Sequence, residues 1–171
     1  MGQRCSFIGL GVMGYPMAGH LANKGYDVTV YNRTASKAEQ WIRDYTGIMQ
    51  TTPEEAVKDA DIIITCVGND NDVREIFAKI FSTAKVGAIL IDHTTTSAIV
   101  ARELYQQAKD KGMSFLDAPV SGGQAGAENG VLTVMVGGDE ADFNVVQPVM
   151  AAFSRFSQLL GEVGSGQLCK M

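Results

Sequence analysis

The chain has 171 residues, 46% of them apolar and 19% charged, with a formal net charge of −5. That length and balance fit one globular domain able to bury a core and exclude a disordered chain. A net negative charge offers no general attraction for nucleic acid or an anionic membrane, so neither is expected as a partner, and any anionic ligand has to be met by local positive groups.

In chain order, "RCSFIGLG" reads as a strand running into a glycine turn. Met13 to Lys24 then carries apolar residues at helical spacing, with Pro16 tolerated in the first turn and Gly25 as a C-terminal stop. "DVTVYN" is a strand and "SKAEQWIRDY" a helix with Thr34 or Ser36 as its cap. "TTPEEAVKDA" has the proline and acidic residues of a helix start. "DIIITCV" and "GAILIDH" are continuous apolar runs, as expected of strands covered on both faces, and the helix "NDVREIFAKIF" separates them. The helix "TSAIVARELYQQAKDKG" follows, then a strand "MSFLDAPV" opening into a glycine-rich loop, a strand "VLTVMVGG", a helix "DEADFNVVQPVMAAF" and a short last strand "SQLLGEV". Strand and helix alternate throughout. The expected fold is α/β, a Rossmann-type doubly wound, mostly parallel sheet with helices on both faces.

The odd cysteine set Cys5, Cys66 and Cys169 suggests neither a disulfide framework nor a metal site, so no metal is expected and a reducing, cytoplasmic setting is. No apolar run is long enough to span a membrane, and no secretory leader is evident. "MGQRCS" matches a myristoylation pattern at Gly2, but the strand that starts at Cys5 leaves no free arm, and an anchor is not expected.

The first chemical pattern is "GLGVMG", with Gly9, Gly11 and Gly14 between a predicted strand and a predicted helix. In that context Gly9 makes the tight turn, Gly11 lets backbone approach a pyrophosphate, and Gly14 lets the helix pack close to the strand. Leu10, Val12 and Met13 complete a loop whose N–H groups and helix end suit a dinucleotide. At the tip of the second strand stand Asn32, Arg33 and Thr34, where a site for NAD commonly has a carboxylate for the ribose hydroxyls. Arg33 there can pair with a 2′-phosphate, with Lys37 as a second cation, so NADP is the preferred cofactor and NAD a possible one. Ligands lie along the carboxyl ends of such strands, which adds Val67 and Gly68 after one strand and the run Thr94 to Thr96 after another. His93, beside that strand end, is read as structural.

The second pattern is "DAPVSGGQAGA". Ser121, Gly122 and Gly123 can turn a hydroxyl and two backbone N–H groups toward one point, a nest for a substrate carboxylate.

The stretches "FIGLGVMGYPMAGHL", "YNRT", "DAPVSGG" and the closing "GSGQLCK" together resemble the β-hydroxyacid dehydrogenases, the 3-hydroxyisobutyrate dehydrogenase-like family, and the resemblance spans the chain. It implies an N-terminal Rossmann-type domain, an all-helical C-terminal domain, and oxidation of a small 3-hydroxy acid to its semialdehyde, or the reverse, with NAD or NADP. By the same resemblance Gly9, Gly11 and Gly14 bind the pyrophosphate, Arg33 the NADP phosphate, and Thr95 the nicotinamide side. Ser121, Gly122 and Gly123 hold the substrate carboxylate, and Lys170 falls on the catalytic lysine. An ammonium there would stabilise the negative charge that hydride transfer builds on a carbonyl oxygen and supply its proton. In the oxidative direction the lysine would have to be neutral, which calls for burial.

The family continues past the lysine with an asparagine and then the helical domain, which closes over substrate and builds much of the subunit interface. Residues 1–163 are therefore expected to form the NAD(P)-binding domain and 164–171 to begin the interdomain helix. The expectation is a cofactor-binding fragment that binds NADPH and turns over poorly, with homo-oligomers only where the helical domain is present. The alternative is a non-catalytic NADP-binding module, against which Lys170 weighs. Imine reductases share the fold but usually carry another residue at the lysine position.

Overall fold

The computed structural model describes residues 3–171, so the Gly2 acylation pattern falls outside the described residues. The chain opens with β1 (Arg4–Ile8), α1 (Gly14–Asn23), β2 (Asp27–Tyr31), α2 (Ala35–Asp44), a two-residue β3 (Ile48–Met49) and a short α3 (Pro53–Val57). It continues through β4 (Ile62–Thr65), α4 (Asp70–Thr83), β5 (Ile89–Asp92), α5 (Ala98–Asp110) and β6 (Ser114–Asp117). The last part holds β7 (Val120–Ser121), α6 (Gly123–Asn129), β8 (Leu132–Gly137), α7 (Glu140–Met150), β9 (Ser154–Gly161) and α8 (Ser165–Lys170).

The strands form one sheet in the order β3-β2-β1-β4-β5-β6-β8-β7, with β9 on β8. Pairings from β3 through β6 are parallel, as is β8 with β9, while β8 runs antiparallel to β6 and β7. Strand order reverses direction at β1 and β4. Connections leave toward opposite faces there, which opens a crevice above the strands' carboxyl ends.

Period-2 alternation explains the apolar runs. In β4, Ile62 and Ile64 join the core cluster that includes Phe7, Met17 and Trp41, while Ile63 joins Val73, Phe77 and Phe115 on the other face. In β5, Ile89 and Ile91 face the first cluster and Leu90 the second. Helix starts follow the cap chemistry: Thr52, Asn69 and Ser97 each accept a hydrogen bond from the N–H three residues on. Gly25 and Gly112 take positive φ just past α1 and α5.

Besides β3, a two-residue strand the sequence did not mark, three features depart from the sequence expectation. The glycine-rich loop after β6 contains a strand, β7, and a helix, α6. The final strand is not short, because β9 begins at Ser154 and runs for eight residues. The preceding helix stops at Met150 rather than Phe153. Among the described residues, no helix is long and apolar enough to cross a membrane.

Candidate cofactor and substrate site

The turn between β1 and α1 is built by steric exclusion. Gly9 has φ of 103°, and a Cβ there would fall on the carbonyl oxygen of Cys66. A Cβ on Gly14 would fall on the carbonyl oxygen of Gly9, so α1 can approach β1 only with hydrogen at that position. Gly11 is different: a Cβ added there meets nothing within 4 Å, so its open side faces the crevice. Asn32 braces this loop from the end of β2. Its Oδ1 accepts the Leu10 N–H (2.8 Å) and its Nδ2 donates to the Thr34 carbonyl (3.1 Å). α1 then begins with no side-chain cap and no acidic residue in its first turn, leaving the positive end of the helix for a ligand.

Two adjoining cavities run along the strand ends. One, of about 440 Å³, is lined by Gly9, Gly11, Val12, Met13 and Gly14, by Asn32, Arg33 and Thr34, and by Val67 and Gly68. Its far wall comes from α4, through Asp72, Glu75, Ile76 and Lys79. Sequence reasoning missed that wall, because nothing in the pattern of an amphipathic helix says which crevice its exposed face will meet. The second cation lining the cavity is Lys79; Lys37 does not line it. The other cavity, of about 510 Å³, shares Met13, Cys66, Val67 and Gly68 with the first and adds His93, Thr94, Thr95, Ser121, Gly122, Gly123 and Lys170. Of the sequence-derived site residues, Leu10 is buried behind the turn, Thr96 is buried and Lys37 lies outside, and the rest line this pair of cavities.

The Ser121–Gly123 turn leads directly into α6. Gly122 and Gly123 hold φ of 132° and 65°, values that side chains rarely adopt. The far end of α6 is tied to α1, since His20 Nε2 lies 2.9 Å from the Ala127 carbonyl and 3.0 Å from that of Glu128. The two glycine turns thus share one support.

Behind the cavities lies a buried polar frame. Asp92 accepts from Thr65 Oγ1 (2.8 Å) and from the Thr94 N–H (3.1 Å), and Thr94 Oγ1 accepts the Val67 N–H (2.9 Å). Burial pushes the Asp92 carboxyl up to about 6 against the pull of the threonine hydrogen bonds. Asp117, at the end of β6, accepts the N–H groups of Gly164 (2.8 Å) and Gln167 (3.0 Å) and so fastens α8 to the sheet. Its carboxyl is also raised, by burial first, with those backbone donors opposing. His93 is buried with Nδ1 donating to the Ala118 carbonyl (2.6 Å) and its ring edge-on to Phe153. Burial pushes its pKa down to about 4, so the ring is neutral, and its Nε2 is buried without a hydrogen-bond partner.

Lys170 closes α8 beside the second cavity. It is exposed, with Nζ reaching across to the Val120 carbonyl (2.7 Å), so the burial that would hold a neutral amine for oxidation is absent in this arrangement. The physical reason is its place on the last turn of α8, on the open side of the cavity. Two cysteines are chemically quiet: burial, with smaller contributions from nearby carboxylates, pushes the Cys5 and Cys66 thiols up to about 12, whereas Cys169 is exposed on α8.

A glycine turn of this geometry, at the reversal point of a parallel sheet and beside an uncapped helix end, defines a dinucleotide-binding α/β domain. The family described as the NAD binding domain of 6-phosphogluconate dehydrogenase matches residues 4–164. An uncharacterized oxidoreductase of Shewanella frigidimarina is 57% identical over 171 residues, covering 98% of this chain and 59% of that protein. The solved 3-hydroxyisobutyrate dehydrogenase of Mycobacterium tuberculosis with L-serine superposes with a TM-score of 0.95 at 34% identity, over 99% of this chain and 58% of that one. That of Salmonella typhimurium does so with a TM-score of 0.91 at 26% identity, over 98% and 60%. The chain belongs to the β-hydroxyacid dehydrogenase family, as its NAD(P)-binding domain. It spans about half to three fifths of the length of the relatives it matches.

Proposed function

We propose that this chain is the NADP-binding part of an oxidoreductase that moves hydride between nicotinamide and a small 3-hydroxy acid or its semialdehyde. The reading rests on one observation: the Gly9–Gly14 turn, the Ser121–Gly123 turn and Lys170 line adjoining cavities above the same strand ends. When bound, the dinucleotide supplies the hydride acceptor or donor. The backbone of residues 9–14 and the start of α1 hold the pyrophosphate, Arg33 and Lys79 meet a 2′-phosphate, and Thr95 takes the nicotinamide side. Ser121 Oγ and the N–H groups of Gly122 and Gly123 hold the substrate carboxylate. Lys170 Nζ exchanges the Val120 carbonyl for the substrate oxygen. As an ammonium it stabilises charge on that oxygen and gives up a proton in reduction, and as a neutral amine it takes the hydroxyl proton in oxidation.

Because Lys170 is exposed, water is not excluded from it, and the reading expects NADPH binding with poor turnover from these residues alone. A cytoplasmic setting belongs to the same reading, as all three cysteines are free. The test is a fluorescence titration with NADPH and NADH. NADPH should bind at least about tenfold more tightly, one charge-assisted contact being worth roughly that much. Arg33→Asp should remove the preference by weakening NADPH while leaving NADH within about threefold. Equal affinity for the two cofactors in the unaltered protein overturns the NADP assignment.

A further inference from the structure

Gln167 is fully buried, yet it lies one turn before an exposed lysine on a short helix. Its side chain reaches back across the sheet ends to the turn after β5. There Oε1 accepts the Thr96 N–H (3.1 Å) and Nε2 donates to the Thr94 carbonyl (2.8 Å). The two backbone groups it engages flank Thr95, which is itself exposed to the second cavity. Gln167's own N–H is taken by Asp117 Oδ2 (3.0 Å). One amide therefore joins the strand-end turn presenting Thr95 to the helix presenting Lys170.

We infer that Gln167 is a positioning residue that sets Thr95 and Lys170 in register with each other, so that the nicotinamide side of the site depends on it while the adenosine side does not. The inference rests on the NADP reading above and deepens it. A primary amide suits this place because it supplies one donor and one acceptor to a backbone that needs both. A carboxylate would face the Thr94 carbonyl with no donor, and an apolar side chain would leave a buried N–H and C=O unpaired. The turn is also held from the other side, by the Thr94 bonds to Asp92 and Val67, so losing Gln167 loosens the Thr95 side of the turn rather than releasing all of it. The adenosine wall, formed by Arg33, Thr34 and α4, makes no contact with Gln167 in this network.

The test compares two ligands on Gln167→Leu and Gln167→Glu: NADPH, which fills both halves of the site, and adenosine 2′,5′-bisphosphate, which fills only the adenosine half. Gln167→Leu should weaken NADPH by about tenfold, the loss expected of two buried hydrogen bonds, and leave the bisphosphate within about twofold. Gln167→Glu, which keeps Oε1 and the volume, should show the same split at smaller size. Amide exchange at Thr96, read by NMR, should accelerate in the Leu variant. Bisphosphate binding itself reports that a variant has folded. If the two ligands weaken together, or neither weakens, Gln167 has no positioning role. If the unaltered protein binds neither ligand, the cofactor reading fails instead, and the inference with it.

Discussion

Alanine substitutions at Gly9, Gly11 and Gly14 should separate folding from binding within a single turn. At Gly11 the added methyl meets nothing within 4 Å and φ is not positive, so the free protein has room for it. Replacing glycine at such a position stabilises by about 0.4–1 kcal/mol through the unfolded chain. For a chain of this size that is a rise in Tm of roughly 1–4 °C. The same methyl occupies the space through which a pyrophosphate would approach the backbone, so NADPH affinity should fall at least about tenfold. At Gly14 the methyl falls on a backbone carbonyl that cannot move without moving β1, and overpacking of this kind costs about 1–3 kcal/mol. At Gly9 a similar clash adds to a φ of 103°, itself a strain of about 1–3 kcal/mol. Thermal melts and NADPH titrations on the three variants provide the readout. The expected pattern is a stable Gly11→Ala that binds poorly and destabilised Gly9→Ala and Gly14→Ala. A Gly11→Ala protein that binds NADPH normally would refute the assignment of that open side to the cofactor.

Two further substitutions probe the buried frame. Asp117→Ala should cost about 2–4 kcal/mol, since the N–H groups of Gly164 and Gln167 lose their acceptor, partly offset by removing a buried carboxylate; denaturant melts measure it, and an unchanged midpoint contradicts the anchoring role. The neighbours Asp92 and His93 bear opposite pH dependences. As pH falls from 6.5 to about 4, the unfolded chain protonates His93 before the folded one does, which removes about 3 kcal/mol of stability. As pH falls from about 6 to 3.8, the folded chain protonates Asp92 first, which restores about 3 kcal/mol. His93→Asn should therefore gain stability relative to the unaltered protein between pH 7 and pH 4, measured by urea melts at both; parallel curves would contradict it.

The parallel half of the sheet was legible because its residues repeat a simple rule. Ile62, Ile63 and Ile64 can be buried on alternating faces only in a strand covered twice, and Gly9, Gly11 and Gly14 have their meaning from the strand before and the helix after. α6 was not legible: "GQAGAEN" has no apolar stripe, and its helix is held by what His20 does from another element. β9 started earlier than expected because Arg155 and Phe156 are exposed on a strand with only one described neighbour, a pattern without alternation to read. In the site, local motifs marked the turns, while Lys79, Asp117 and Gln167 gained their roles from elements far apart in sequence. Lys170 was placed by resemblance, and its reach to the Val120 carbonyl became visible only once α8 had coordinates.

The unequal chemistry of the three cysteines makes the protein a ready platform for spectroscopy. A maleimide dye at neutral pH attacks thiolate, and thiols pushed up to about 12 offer almost none, so exposed Cys169 should react well ahead of Cys5 and of half-buried Cys66. The dye then sits beside Lys170 without any residue having been replaced. Its emission would follow ligands as they enter the neighbouring cavity, in real time and in the native sequence.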